Sequence, residues 1–345
     1  MTIYNIFRYK HINMSSYLDN KTLFNEPRVI QHNSHQIMTN VVKPQKVKYI
    51  NIDTKYCDEY NNNRLDPSCN DYNLAKFTVT VPERVNDVKS IEITDAEIPM
   101  TYFNISNALG NNYFKISTDM SDGIYVSNMI VLDDGEYTAS SLATAIQNKL
   151  NGVTWAVGYL GYALRFAITN NFSAFSIDPD TYDTSGNWTG RYIDVHFAVS
   201  RDGSFDKYNF KNKLGWLLGY RNTDYTIIRD VGDPAESIVN LTGPKYLYLV
   251  VDDFTRTGQN SFVTPLHSSF INKNVIAKLL VNKSDYPFGT LMTMHSNNGY
   301  LVSDIRSYCG SVDMQKLNVQ LLDEAGNVVN LNGVDFSFTM RIVYE

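Results

Sequence analysis

Residues 245–253, KYLYLVVDD, carry large apolar groups on both faces of an extended chain: Tyr246, Tyr248 and Val250 point one way, Leu247, Leu249 and Val251 the other. A strand of this kind is stable only when it is covered on both sides, which demands further layers of structure around it. The two carboxylates that follow, Asp252 and Asp253, are read as the place where the strand runs out into water. Adjacent strand residues diverge, so these two cannot converge on one substrate atom as an acid–base dyad.

Other long runs of the same chain alternate as strands with one solvated face. VKYINIDTKYC comes first. FTVTVPE and VKSIEITDAEIP follow as two strands closed by Pro82 and Pro99. In the second, Val88, Ser90, Glu92 and Thr94 are expected on one face, and Lys89, Ile91, Ile93 and Asp95 on the other. After Pro244 come NVIAKLLVN, GTLMTMH, SVDMQKLNVQLLDE and VDFSFTMRIVYE, with Gly326 expected at positive φ in the AGN turn between the last two. With KYLYLVVDD these make about eight long strands, the number in a single jelly roll. The 24 Tyr and 17 Phe agree with a mainly β chain.

Residues 105–240 read differently, as a small α+β insertion. Short strand candidates (NNYFKIST, YVSNMIVL, TWAVGYL, ALRFAIT, AFSI, RYIDVHFAVS) surround one helix, TASSLATAIQNKLNG. Thr138 suits its N-cap, Leu142, Ala145, Ile146 and Leu150 its apolar stripe, and Gly152 its stop. KNKLGWLLGY is expected to form a short helical turn carrying Trp216, Leu217 and Leu218 into a core. The expected organisation is an extended polar N-terminal arm over 1–46, a jelly-roll β-sandwich from 47–104 and 241–345, and the insertion over 105–240.

The arm carries Arg8, Lys10, Lys21, Arg28, Lys43 and Lys46 against Asp19 and Glu26, a net +4, which leaves −10 for the rest of a chain of net charge −6. Opposite signs favour docking of the arm on an acidic neighbour, and Arg8, Lys10, Lys21 and Arg28 are its candidate partner-binding residues. The acidic balance argues against coating nucleic acid, and no basic–aromatic interleaving of the kind that reads RNA occurs. No run reaches the roughly 20 apolar residues of a membrane-spanning helix. The N-terminus has no apolar signal core, so secretion is not expected and neither is glycosylation at the scattered NxS/T triplets. Cys57, Cys69 and Cys309 match no zinc spacing and are expected as reduced thiols.

Searching the chain for reaction chemistry leaves little. It contains no GxSxG elbow, HExxH helix, Walker A loop or GxGxxG turn. His32 and His35 lie in a segment without helical pattern, and His196 reads as a surface or interface residue on a strand with Tyr192 and Asp194. DPDTYDTSGN at 178–187 lacks the Gly and closing Glu of a calcium loop. Asp133-Asp134-Gly135 reads as a turn. No catalytic residue, metal ligand or cofactor is therefore assigned, and the chain is expected not to be an enzyme.

Taken in order, YINIDTKYCDEY, VNDVKSIEITDAEIPMTYFNI, LDDGEYTASSLATAI, KLGWLLGYR, KYLYLVVDDF and VDMQKLNVQLLDEAGNVVNLNGVDFSFTMRIVYE resemble the minor capsid and penton-like structural proteins of large (giant) double-stranded DNA viruses. The resemblance covers residues 47–345. It implies a jelly-roll virion protein, assembled in the host cytoplasm, whose partners are the major capsid protein and other minor capsid proteins. At a five-fold vertex it would be a pentamer; under the shell, a monomer between capsomers. The alternative is a virion-surface attachment protein that binds a glycan or receptor through the insertion, with Tyr159, Tyr162, Tyr182 and Trp188 as stacking residues.

Overall fold

A computed structural model of the chain describes residues 44–57, 75–119, 125–153, 164–177, 192–206, 208–228, 233–255 and 274–345. The fold is mainly β, as expected. Eight strands form one curled sheet: β1 (Lys46–Asp53), β2 (Lys76–Pro99), β10 (Tyr246–Asp252), β11 (Val275–Leu280), β12 (Leu291–His295), β13 (Leu301–Ser303), β14 (Arg306–Leu322) and β15 (Ser337–Tyr344). Their order is β1-β15-β2-β14-β10-β11-β13, with β12 also paired to β2 and every pairing antiparallel. This curl is consistent with a β-sandwich of the jelly-roll kind.

β2 is the spine of this sheet, and it departs from the expected pattern of two strands closed by Pro82 and Pro99. One strand of 24 residues runs through Pro82 and ends at Pro99. Proline is tolerated there because the register slips: Val85 pairs Met314 while Thr80 pairs Lys316, so several β2 residues face a single β14 residue and Pro82 owes no ladder bond. A second slip, where Thr339 pairs Asp95 but Met340 pairs Ile93, leaves Thr94 as an extra residue. It resets the alternation so that Asp95 and Glu97 face out and Ala96 and Ile98 face in. A third, next to Asp87 at φ 55, turns Val88 into the core instead of leaving it on the face of Ser90 and Glu92. These bulges bend β2 so that its first half pairs β14 and its second half pairs both β15 and β12.

The curled sheet encloses one core, with Ile91, Ile93, Ile98, Leu249, Leu317, Phe338 and Met340 among its fully buried members. β10 is apolar on both faces as expected: Leu247, Leu249 and Val251 enter this core, and Tyr248 and Val250 enter a smaller cluster with Val275 and Leu322. The 323–328 turn is held by Asp323, which accepts the amides of Ala325 and Asn327, with Gly326 at φ 86 as expected.

A second core lies within residues 105–235. One sheet contributes β3 (Tyr113–Asp119), β4 (Tyr125–Val131), β7 (Ile193–His196) and β8 (Asp224–Ile227) in the order β4-β3-β7-β8. Another contributes β5 (Leu164–Thr169), β6 (Phe172–Ile177) and the two-residue β9 (Asp233–Pro234). Helix α1 (Ala139–Asn151) lays Leu142, Ile146 and Leu150 onto them. Its first turn is closed by a reciprocal cap between Thr138 and Ser141, and Gly152 ends it, as the sequence predicts.

The turn α2 (Leu214–Leu217) corrects another expectation. Leu214, Gly215 and Leu218 are the buried residues, while Trp216 and Leu217 are only half-buried. The reason is Gly215, whose missing side chain lets Phe197 come so close that an added Cβ would lie 2.3 Å from its ring. The turn therefore seats its glycine face, while Trp216 and Leu217 pack half-buried at the margin of the same core, Trp216 edge-on to Phe210 at 5.7 Å.

Candidate functional site

The arm residues Arg8, Lys10, Lys21 and Arg28 lie outside the described residues, as do Tyr159, Tyr162, Tyr182 and Trp188, His32 and His35, the 178–187 loop and the strand expected at 154–160. The described residues bring other side chains together in three places.

The first surrounds the two acids at the end of β10. The two diverge as expected, but only Asp252 is at the surface. Asp253 is 9% exposed and sits beside Arg306, which is 3% exposed. Its Oδ1 accepts the Thr255 amide at 3.0 Å and the Thr255 hydroxyl at 2.8 Å, and its Oδ2 accepts the Tyr308 hydroxyl and lies 3.8 Å from Arg306 Nη1. Arg306 also donates to the carbonyls of Val251, at 2.7 Å, and Asn274, at 2.8 Å. Burial pushes the Tyr308 phenol far up, with the Asp253 charge adding to it, so the phenol stays protonated and donates. The group is a buried, saturated clamp joining the end of β10, the approach to β11 and the start of β14. Every acceptor in it is spent on structure.

The second place is a row across three strands. Ser117 Oγ lies 2.7 Å from His196 Nε2, and His196 Nδ1 lies 2.5 Å from Asp224 Oδ1. Register alone creates this row, because His196 is directly opposite Asp224 on β8 and Ser117 is its diagonal neighbour on β3. The order matches a Ser–His–Asp relay, but a working nucleophile also needs amide donors aimed at the developing oxyanion. In the middle of β3 the amides are engaged by β4 and β7, and Ser117 is only 9% exposed. The row is a polar cross-strand tie on an outer face, in keeping with the surface reading of His196. A fluorophosphonate probe is expected to leave Ser117 unmodified; an adduct on the peptide containing Ser117, found by mass spectrometry, would contradict this.

The third is a cleft of about 300 Å³ where the segments after β2 and before β10 pass the 323–332 turn. Its aromatic rings already carry partners. The Arg221 guanidinium lies 4.1 Å over Trp216, the Lys283 ammonium 5.5 Å over Tyr102, and Phe103 stacks on Phe288 at 5.9 Å. Next to it the buried Lys213 is 3.1 Å from Asp206 and 3.2 Å from the Tyr113 hydroxyl. Burial works against ionisation of Asp206, but hydrogen bonds from Lys213 and Asn209 and the Lys213 charge outweigh it and hold the carboxyl below its ordinary value. Among the described residues, no cluster of three or more His, Cys, Asp or Glu could hold a metal ion.

Outside these places the polar rows of the curled sheet stand out. On its outer face Tyr49, Arg341 and Glu92 share one row; Asn51, Thr339, Asp95 and His295 share the next; Asp53, Ser337, Glu97 and Thr293 the third. The face therefore holds the carboxylates of Asp53, Glu92, Asp95 and Glu97 against Arg341 and His295. Arg341 lies 3.5 Å from Glu92, and Ser337 donates to Glu97 at 2.7 Å. At the β1 margin Val47 is 46% exposed and Tyr49 62%, far more than sheet residues that are covered.

No protein-family model matches the chain. No curated protein matches it either. Among solved structures, the crystal structure of the selenomethionine-labelled mavirus penton protein is similar over 86% of this chain and 99% of that chain, with a TM-score of 0.43 and 9% sequence identity.

Proposed function

We propose that this chain is a structural component of a virus particle, a minor capsid or penton protein that works by packing against other subunits and transforms no substrate. The observation that carries this reading is where the capsid-like phrases fall. YINID lies on β1, VKSIEITDAEIP on β2, KYLYLVVDD on β10, VDMQKLNVQLL on β14 and FTMRIVY on β15, while LDDGEYTASSLATAI and KLGWLLGYR run into α1 and through α2, so most of the sequence that resembles capsid proteins builds the curled sheet and the rest helps build the second core. The three side-chain groupings support a scaffold as well, since each is used in holding strands or segments together. Partners of the proposed role are a major capsid protein and other minor capsid proteins, in a shell where many modest contacts add up. Arg8, Lys10, Lys21 and Arg28 carry the arm onto an acidic neighbour, in a virion put together in the host cytoplasm.

The test is the position of this chain in a density map of the purified particle, together with incorporation of a full-length variant with Arg8, Lys10, Lys21 and Arg28 changed to Glu. The expected result is density within the shell for the native chain and loss of the variant from particles. Absence of the native chain from the shell would overturn the reading; normal incorporation of the variant would remove the role of those four cations.

A further inference from the structure

The strand edges of this molecule are not alike. β13 is three residues long, and its Ser303 hydroxyl oxygen accepts the Ile93 amide of β2 at 3.1 Å. β8 has four residues. On β5 the Phe166 amide is met by the Gln147 side chain of α1 at 2.8 Å, and α1 also lies against β4. β1 is different. It pairs with β15 in an uninterrupted register over all eight residues, without proline, glycine or bulge, and no strand among the described residues pairs along its far side. In an antiparallel ladder about half of its amides and carbonyls point to that far side. Edges left open are usually guarded by lysines, prolines or bulges. Of the two lysines on β1, Lys48 is drawn 2.6 Å from Glu83, which leaves Lys46.

We propose that the far edge of β1 accepts residues 2–10 of a second copy of this chain, TIYNIFRYK, as an added strand. Among the described residues no strand other than β15 pairs with Lys46–Asp53, so the far side of β1 is open to a second copy. Residues 2–10 contain neither Pro nor Gly and are rich in the β-branched and aromatic types that suit a strand. Their alternation fits the two faces of β1. Ile3 and Phe7 share one side and continue the apolar row of Ile50, which is half-buried, and Ile52, which is buried. Arg8 and Lys10 share the other side with Ile6, the side on which β1 presents Asp53; Glu92, Asp95 and Glu97 lie two strands farther along the same face and add to its negative field. The +4 of residues 1–46 against −10 for the rest favours the same contact. Residues 11–45 can span up to about 115 Å at ~3.3 Å each, enough to reach a neighbouring copy.

This seat gives the assembly reading its contact, but it is tested on the purified full-length chain alone. Hydrogen–deuterium exchange of a peptide spanning residues 46–53 is followed at low and high chain concentration. It is expected to slow by about tenfold at high concentration. The full-length variant Arg8→Glu/Lys10→Glu is expected to lose that slowing while keeping the native melting temperature. Slowing that does not depend on concentration would place a chain's own segment on β1 and overturn the second-copy seat. Slowing that survives in the variant, or none in either, overturns the role of residues 2–10. Since no particle enters this experiment, its failure leaves the assembly reading to the particle density.

Discussion

Replacing Arg306 by Met is expected to destabilise the fold by about 3–5 kcal/mol, the usual cost of stranding one member of a buried ion pair. The guanidinium meets the Val251 and Asn274 carbonyls and the Asp253 carboxylate at once, and methionine fills much of its volume while meeting none of them. Urea unfolding measures the loss. The double variant Arg306→Met/Asp253→Asn should recover part of it, because the remaining carboxamide is neutral: its Oδ1 still accepts from Thr255, and its NH2 can donate to the Tyr308 hydroxyl oxygen. A loss under about 1 kcal/mol, the range of solvent-exposed pairs, would mean that the clamp is hydrated in solution.

Gly219→Ala should be nearly as costly, at about 2–5 kcal/mol, from a left-handed backbone penalty plus overpacking. Gly219 has φ +98, and an added Cβ would lie 2.0 Å from the Ser237 carbonyl oxygen, where the obstacle is backbone and cannot rotate aside. The Ser237 amide donates to the Gly219 carbonyl at 3.0 Å, so moving that segment breaks a bond that ties α2 to the approach to β10. Gly289→Ala is the control: its φ is +87 with nothing within 4 Å of an added Cβ, and it should lose only about 1–2 kcal/mol. Equal losses at the two sites would show that backbone strain, not the Ser237 contact, sets the cost at Gly219.

The features legible in the chain are those that depend on neighbours within a few residues. The doubly apolar run of β10, the Thr138 cap and stripe of α1 and the positive φ of Gly326 follow from side-chain period and local hydrogen bonding, and each appears as read. Where the reading missed, the deciding partner lies far away in sequence. Pro82 was expected to end a strand because a proline cannot donate to a regular ladder; a slip in register against β14 removes that requirement. Asp253 was expected to meet water because acids at strand ends usually do; Arg306 and Tyr308 come from another strand to cover it. Trp216 was expected in a core and packs against one only half-buried; the close seat of Gly215 on Phe197 keeps it at the core's margin. The Ser117–His196–Asp224 row has no local signature, because three separated strands bring it together through register.

Residue order thus settles the mainly extended character of the chain, the one clear helix and the charge contrast between residues 1–46 and the rest, since each is a property of side chains and their near neighbours. Bulge positions, the burial of Asp253 and the open edge of β1 were settled only by folding. Each depends on which strands lie side by side and in what register, and pairing across hundreds of residues is selected by the whole core at once.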